Sequence, residues 1–143
     1  MDRKILLSIK GDHISPEGDN NTVELITEGR LFIKDDAFCI EYEESEISGM
    51  EGTKTLISVH DGRILLERTG SCPSNLVFEK GRKYENFYYT PMGIFNIGIY
   101  PTKIEHNLSE EKGELDLRYQ LDIGGRYAST NTLNLKYNGR HSL

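Results

Sequence analysis

The residue of this chain best suited to chemistry is an arginine that interrupts an apolar row. Between Ile64 and Gly70, Ile64 and Leu66 alternate with other residues, and Arg68 follows at the same period. A period of two places all three on one face of a strand. A guanidinium facing inward can hold an anion through its planar fork of donors. It is equally suited to pair with Glu44, Glu46 or Glu51 from a neighbouring loop. Other inward-reading faces end in polar residues too. Tyr42 closes the face begun by Phe38 and Ile40, and Tyr88 and Thr90 close theirs. Thr27 sits between Leu25 and Leu31. Tyr127, Ser129 and Asn131 precede Leu133 and Leu135. The candidate ligand-binding set is therefore Arg68, Tyr42, Tyr88, Thr90, Tyr127, Ser129 and Asn131.

Other groupings carry less. Glu41, Glu43, Glu44 and Glu46 resemble an acid/base group, but Glu41 and Glu43 alternate with Tyr42, and a charge run of this kind reads as a solvated face. His13, His60, His106 and His141 are scattered, with no partner at metal-ligand spacing. No serine lies in a nucleophile elbow, and the glycines form no phosphate loop. No catalytic residue, metal or cofactor is implied. Tyr84, Phe87, Tyr88 and Tyr89 have the chemistry to stack on bases, yet their strand context favours sheet packing.

The elements that must position these residues are strands. In Glu114–Ile123, Leu115, Leu117, Tyr119, Leu121 and Ile123 alternate with polar residues. Gly124-Gly125 supplies a two-residue turn, and Arg126–Tyr137 returns as the partner strand. Leu117, Leu121, Leu133 and Leu135 are expected to be buried together in this hairpin. Gly93–Leu108 reads as a long strand with a bend or bulge near Gly98 and Pro101. Further strands are predicted over Lys4–Lys10, Val23–Lys34, Ala37–Glu43, Thr53–Val59, Ile64–Gly70, Asn75–Glu79 and Tyr84–Thr90. Turns at Asp35-Asp36, Asp61-Gly62 and Pro91-Met92-Gly93 separate them. Gly11–Asn21 reads as a polar loop. One domain is expected over residues 1–137, with a disordered tail over 138–143.

A meander of about ten such strands removes its exposed edges by closing, so the expected fold is an all-β, up-and-down antiparallel barrel. Successive turns then fall at alternate ends. Gly11–Asn21, Glu44–Gly52, Ser71–Pro73, Pro91–Gly93 and Gly124-Gly125 share one end, provided that Asn75–Glu79 is a true barrel strand. This end has the long loops and receives the polar ends of the inward faces. It is the expected mouth of a barrel that takes a small amphipathic or anionic ligand without turning it over. Barrel mouths are wet, so a packed interaction or structural module fits the same residues. An enzyme using Arg68 and a nearby Glu is a third reading.

Composition narrows the partners. The 143 residues carry a net charge of −6, which disfavours nucleic acid and a polybasic membrane contact. The apolar core of Met1–Lys10 is too short for a secretory leader and reads as a strand. Cys39 and Cys72 are far apart and read as reduced thiols, which places the protein in the cytoplasm.

Several segments also match a family. Thr27-Glu28-Gly29, the run from Tyr42 to Thr53, Arg68-Thr69-Gly70 and Phe78-Glu79-Lys80-Gly81 resemble the YwiB-like family of small bacterial proteins. So do Tyr89-Thr90-Pro91-Met92-Gly93 and the hairpin around Gly124-Gly125. The resemblance spans Val23 to Tyr137. It implies a calycin-like barrel, related in shape to lipocalins and fatty-acid-binding proteins, and implies no activity. The chain has no Trp for the lipocalin signature, and Arg118 precedes Tyr119 directly and turns outward. Likeness of shape therefore brings no known ligand with it.

Overall fold

The computed structural model describes residues 2–46, 50–71, 73–90 and 93–139, with 88–90 described by their backbone alone. Ten strands lie among them: β1 (Asp2–Ile14), β2 (Asn20–Lys34), β3 (Ala37–Glu43), β4 (Thr53–His60), β5 (Arg63–Gly70), β6 (Ser74–Glu79), β7 (Tyr84–Thr90), β8 (Gly93–Leu108), β9 (Lys112–Ile123) and β10 (Arg126–Gly139). Three hairpins turn through two residues that both have positive φ: Asp35-Asp36, Asp61-Gly62 and Gly124-Gly125. Turns of this hand match the right-handed twist of the flanking strands, and Asp and Gly tolerate them.

All ten strands form one antiparallel sheet in the order β6-β5-β4-β3-β2-β1-β10-β9-β8-β7. The first and last strands pair in mid-sheet, from Ile5 opposite Gly139 to Ile14 opposite Thr130. The barrel is nearly closed. Its one seam lies between β6 and β7, which are consecutive in the chain. A bridge between Glu79 and Arg82 holds the seam at its base. Asn86 Nδ2 donates across it to the Asn75 carbonyl at 3.1 Å. The antiparallel barrel is thus as expected, except that full closure of the ladder stops at this seam.

Two expected loops or tails are strand instead. Gly11–Ile14 and Asn20-Asn21 extend β1 and β2, which leaves only residues 15–19 as loop. These polar residues show no amphipathic alternation. The ladder continues because β1 has a partner on each side, and Asp12 ties both by accepting from Thr22 Oγ1 at 2.5 Å and Thr132 Oγ1 at 3.3 Å. Asn138 and Gly139 likewise belong to β10, opposite Leu6 and Ile5. The rest of the expected tail, residues 140–143, lies outside the described residues, as does Cys72.

Inward-facing residues build one core. Ile5, Leu7, Leu31, Ile40, Ile57, Leu115 and Leu135 are fully buried, and each such side chain contributes about 1.5–3 kcal/mol. Of the four leucines expected together in the last hairpin, Leu117 and Leu135 are buried, whereas Leu121 and Leu133 are half-buried and pack against the core's edge. Leu133 faces the open interior, and Leu121 pairs with Ser129 two layers nearer the mouth. The expected irregularity in β8 is a bulge between Pro101 and Lys103.

Candidate functional site

Two rows of side chains face each other across the mouth. The first runs through Gly29, Tyr42, Thr55, Arg68 and Ser74, which lie opposite one another on β2 to β6. Strict alternation carries Tyr42 and Arg68 inward. Glu44 lies two residues past Tyr42 and keeps the same parity, because its N–H extends the ladder by donating to the Thr53 carbonyl at 2.8 Å. Its side chain is only 3% exposed, and Oε2 lies 3.9 Å from Arg68 Nε. That separation gives an ion pair without a hydrogen bond, and Arg68 Nε is left buried with no hydrogen-bond partner. Thr55 Oγ1 donates to Glu44 Oε2 at 2.5 Å. Burial, reinforced by the charge of Glu44 and a hydrogen bond to it, raises the Tyr42 phenol well above its ordinary value, and Arg68 opposes this.

The second row runs through Asn21, His13, Asn131 and Tyr119 on β2, β1, β10 and β9. His13 Nδ1 lies 2.8 Å from Asn131 Oδ1. With the amide oriented this way, the imidazole nitrogen is the donor. Asn131 Nδ2 donates to Ser129 Oγ at 2.9 Å. Burial raises the Tyr119 phenol, and Arg68 opposes that shift as well. The Tyr119 ring packs on Phe78 at 5.0 Å between centroids, which holds the interior together behind the seam.

Between the rows lies a cavity of about 380 Å³. Ile9, Leu25, Leu66, Leu76, Phe78 and Leu117 form its apolar floor, and Met50 from the β3–β4 loop stands at its rim. Arg68, Tyr42, Glu44, Asn131, His13 and Tyr119 supply its polar wall. Among the described residues, no three His, Cys, Asp or Glu side chains stand close enough to hold a metal ion.

Of the residues singled out in the sequence, Arg68, Tyr42 and Asn131 converge on this cavity. Ser129 is fully buried behind Asn131. Tyr127 does not converge. A bulge between Tyr127 and Ser129 shifts the register by one residue, which reverses the facing of everything beyond it. Tyr127 is therefore 45% exposed on the outer face, where its hydroxyl meets Thr130 Oγ1 at 2.5 Å. Tyr88 and Thr90 lie on β7, and their side chains are outside the described residues. The ion pair with Glu44 expected as one role for Arg68 is present, with Glu44 turned inward in step with Tyr42 and away from the solvated face its acidic run suggests. Two members of the wall lie outside the candidate set: His13, within the expected loop yet continuing the period of Ile5, Leu7 and Ile9, and Tyr119, on the apolar face of its strand.

A family model described as a domain of unknown function, DUF1934, matches residues 7–135. The chain belongs to this family. The match takes in both rows of the DUF1934 cavity, from His13 on β1 to Asn131 on β10. A relative, the uncharacterized beta-barrel protein YwiB of Bacillus subtilis strain 168, is 25% identical over 126 residues, which cover 88% of this chain and 87% of the relative. The crystal structure of the ywiB protein from Bacillus subtilis matches this DUF1934 barrel with a TM-score of 0.86 at 23% identity, covering 98% of this chain and 94% of that one. At that identity the likeness establishes the fold. It agrees with the YwiB-like resemblance of the sequence segments, and the function of the family is unknown.

Proposed function

We propose that this DUF1934 barrel binds a small amphipathic or anionic molecule at its open end and does not turn it over. One observation carries the reading: the interior is an open cavity of about 380 Å³ with an apolar floor, on which Arg68 and Asn131 converge from different parts of the barrel wall. Pockets of this size and lining are the usual form of small-ligand sites. A packed module fills the same space with side chains. At about 30 Å³ for each non-hydrogen atom, the volume holds roughly a dozen such atoms, the size of a short amphiphile.

One feature favours an enzyme as the second reading: a shielded carboxylate, Glu44, beside Arg68. A general acid or base has to touch the reacting atom. Glu44 is 3% exposed and already accepts from Thr55, so binding remains the preferred reading.

We place this activity in the cytoplasm, away from membranes and nucleic acid. The outer wall supports this by presenting charged residues such as Lys10, Glu24 and Arg30; a membrane barrel presents an apolar band there. No helix among the described residues is long and apolar enough to cross a membrane.

Native mass spectrometry of protein purified from its own host tests the reading, together with calorimetric titration by octanol, an uncharged amphiphile small enough for this volume. A retained small molecule, or saturable probe binding that a folded Leu66→Trp variant loses, is the expected result. Folded protein with neither an adduct nor probe binding would point to the packed module.

A further inference from the structure

Building on the mouth cavity as a ligand site, we infer that the ligand's head group is uncharged and both accepts and donates hydrogen bonds, as a primary carboxamide does. The charged side chains around the cavity are Asp12, Glu44 and Arg68, with His13 at the rim. Asp12 is engaged by the Thr22 and Thr132 hydroxyls. Deeper in, the guanidinium of Arg68 already has its counter-charge. Glu44 lies 3.9 Å away, and the two side chains are 18% and 3% exposed.

An anionic head that reached Arg68 would arrive beside this second carboxylate. Repulsion from Glu44 would offset attraction to Arg68, because the two act over similar distances in the same medium. Only the cost of drying the anion would remain. An ammonium head meets the converse problem at Arg68. An uncharged head escapes both. The wall offers it complementary partners: the terminal N–H groups of Arg68 and the phenol of Tyr119 donate, and Asn131 both donates and accepts. The Asn131 carboxamide has one bond from His13 and one to Ser129, which leaves a further proton and lone pair. The tail then lies over Leu66, Leu76 and Phe78.

Three probes with the same tail test this: octanamide, octanoate and octylamine, each titrated calorimetrically into wild-type protein at neutral pH. Octanamide should bind at least about tenfold more tightly than either charged probe. Glu44→Gln preserves shape and removes the counter-charge, so octanoate should gain about tenfold and draw level with octanamide. If that variant does not fold by circular dichroism, Arg68→Gln gives the mirror test, with octylamine gaining instead. Wild-type protein that binds octanoate as tightly as octanamide, or more so, overturns the uncharged head and leaves the cavity reading intact. If none of the three binds to folded protein, the cavity reading falls, and this inference falls with it.

Discussion

Replacing Arg68 by Met while Glu44 stays in place strands a carboxylate that is 3% exposed. At a separation of 3.9 Å and an effective dielectric of about 20, the two charges attract by about 4 kcal/mol. Much of that is offset by the desolvation both groups already bear. Breaking a buried pair from one side costs about 3–5 kcal/mol, because the remaining charge is left uncompensated. The long separation and the 18% exposure of Arg68 put this site at the lower end, about 3 kcal/mol. For a chain of 143 residues that corresponds to a fall in Tm of about 9 °C. Adding Glu44→Gln removes the stranded charge, and the double variant should recover at least about half of the loss. Urea unfolding followed by circular dichroism measures both variants, with tyrosine emission as a second probe in a chain that has no Trp. The slopes must agree for the midpoints to be compared. A loss below about 0.5 kcal/mol for Arg68→Met, or a double variant as unstable as the two single losses added, would refute a coupled, buried pair.

Leu135 is fully buried and Leu121 only half-buried, so Leu135→Ala should cost about 2–5 kcal/mol and Leu121→Ala less than half of that. Equal losses in denaturant unfolding would show that the layers of the last hairpin are misassigned. A Cβ added at Gly29 would stand 2.4 Å from Leu7 Cδ1 and 2.8 Å from the Glu41 carbonyl oxygen. That backbone oxygen has little room to yield, so Gly29→Ala should lower stability by about 1–3 kcal/mol, and an unchanged Tm would contradict the close approach of β2 and β3. Burial raises the phenols of Tyr42, Tyr119 and Tyr137 above the ordinary value of 10.0. The folded state therefore holds protons that the unfolded chain releases above about pH 10, and the associated stability, intact at lower pH, is lost as pH rises from there towards the folded values. Alkaline denaturation should be shallower in Tyr42→Phe, and tyrosinate absorbance should rise with unfolding; three phenols that titrate freely in the folded barrel would remove the basis for this.

Local sequence determined most of the ladder. Period-two runs such as Leu115–Ile123 name their own inward face, and Asp-Gly or Gly-Gly pairs mark turns because few other residues accept positive φ at both positions. Given nine turns between ten strands, parity alone brought Arg68 and Asn131 to one end. Even the short segment from Asn75 to Glu79 pairs as a barrel strand. Tertiary structure decided what local pattern does not encode. Polar residues from Gly11 to Ile14 became strand because β2 and β10 both stood ready to pair with them. The bulge before Ser129 turned Tyr127 outward, since a bulge answers to the register of the partner strand rather than to its own side chains. Of the carboxylates the sequence offers to Arg68, Glu44 became the partner because the ladder runs one residue past β3 and holds it beside the guanidinium. The position of the seam, between β6 and β7 and not between the chain's first and last strands, was fixed only when the sheet curled round. Closure, bulges and charge pairing each depend on residues far apart in the chain, and a period of two carries no information about them.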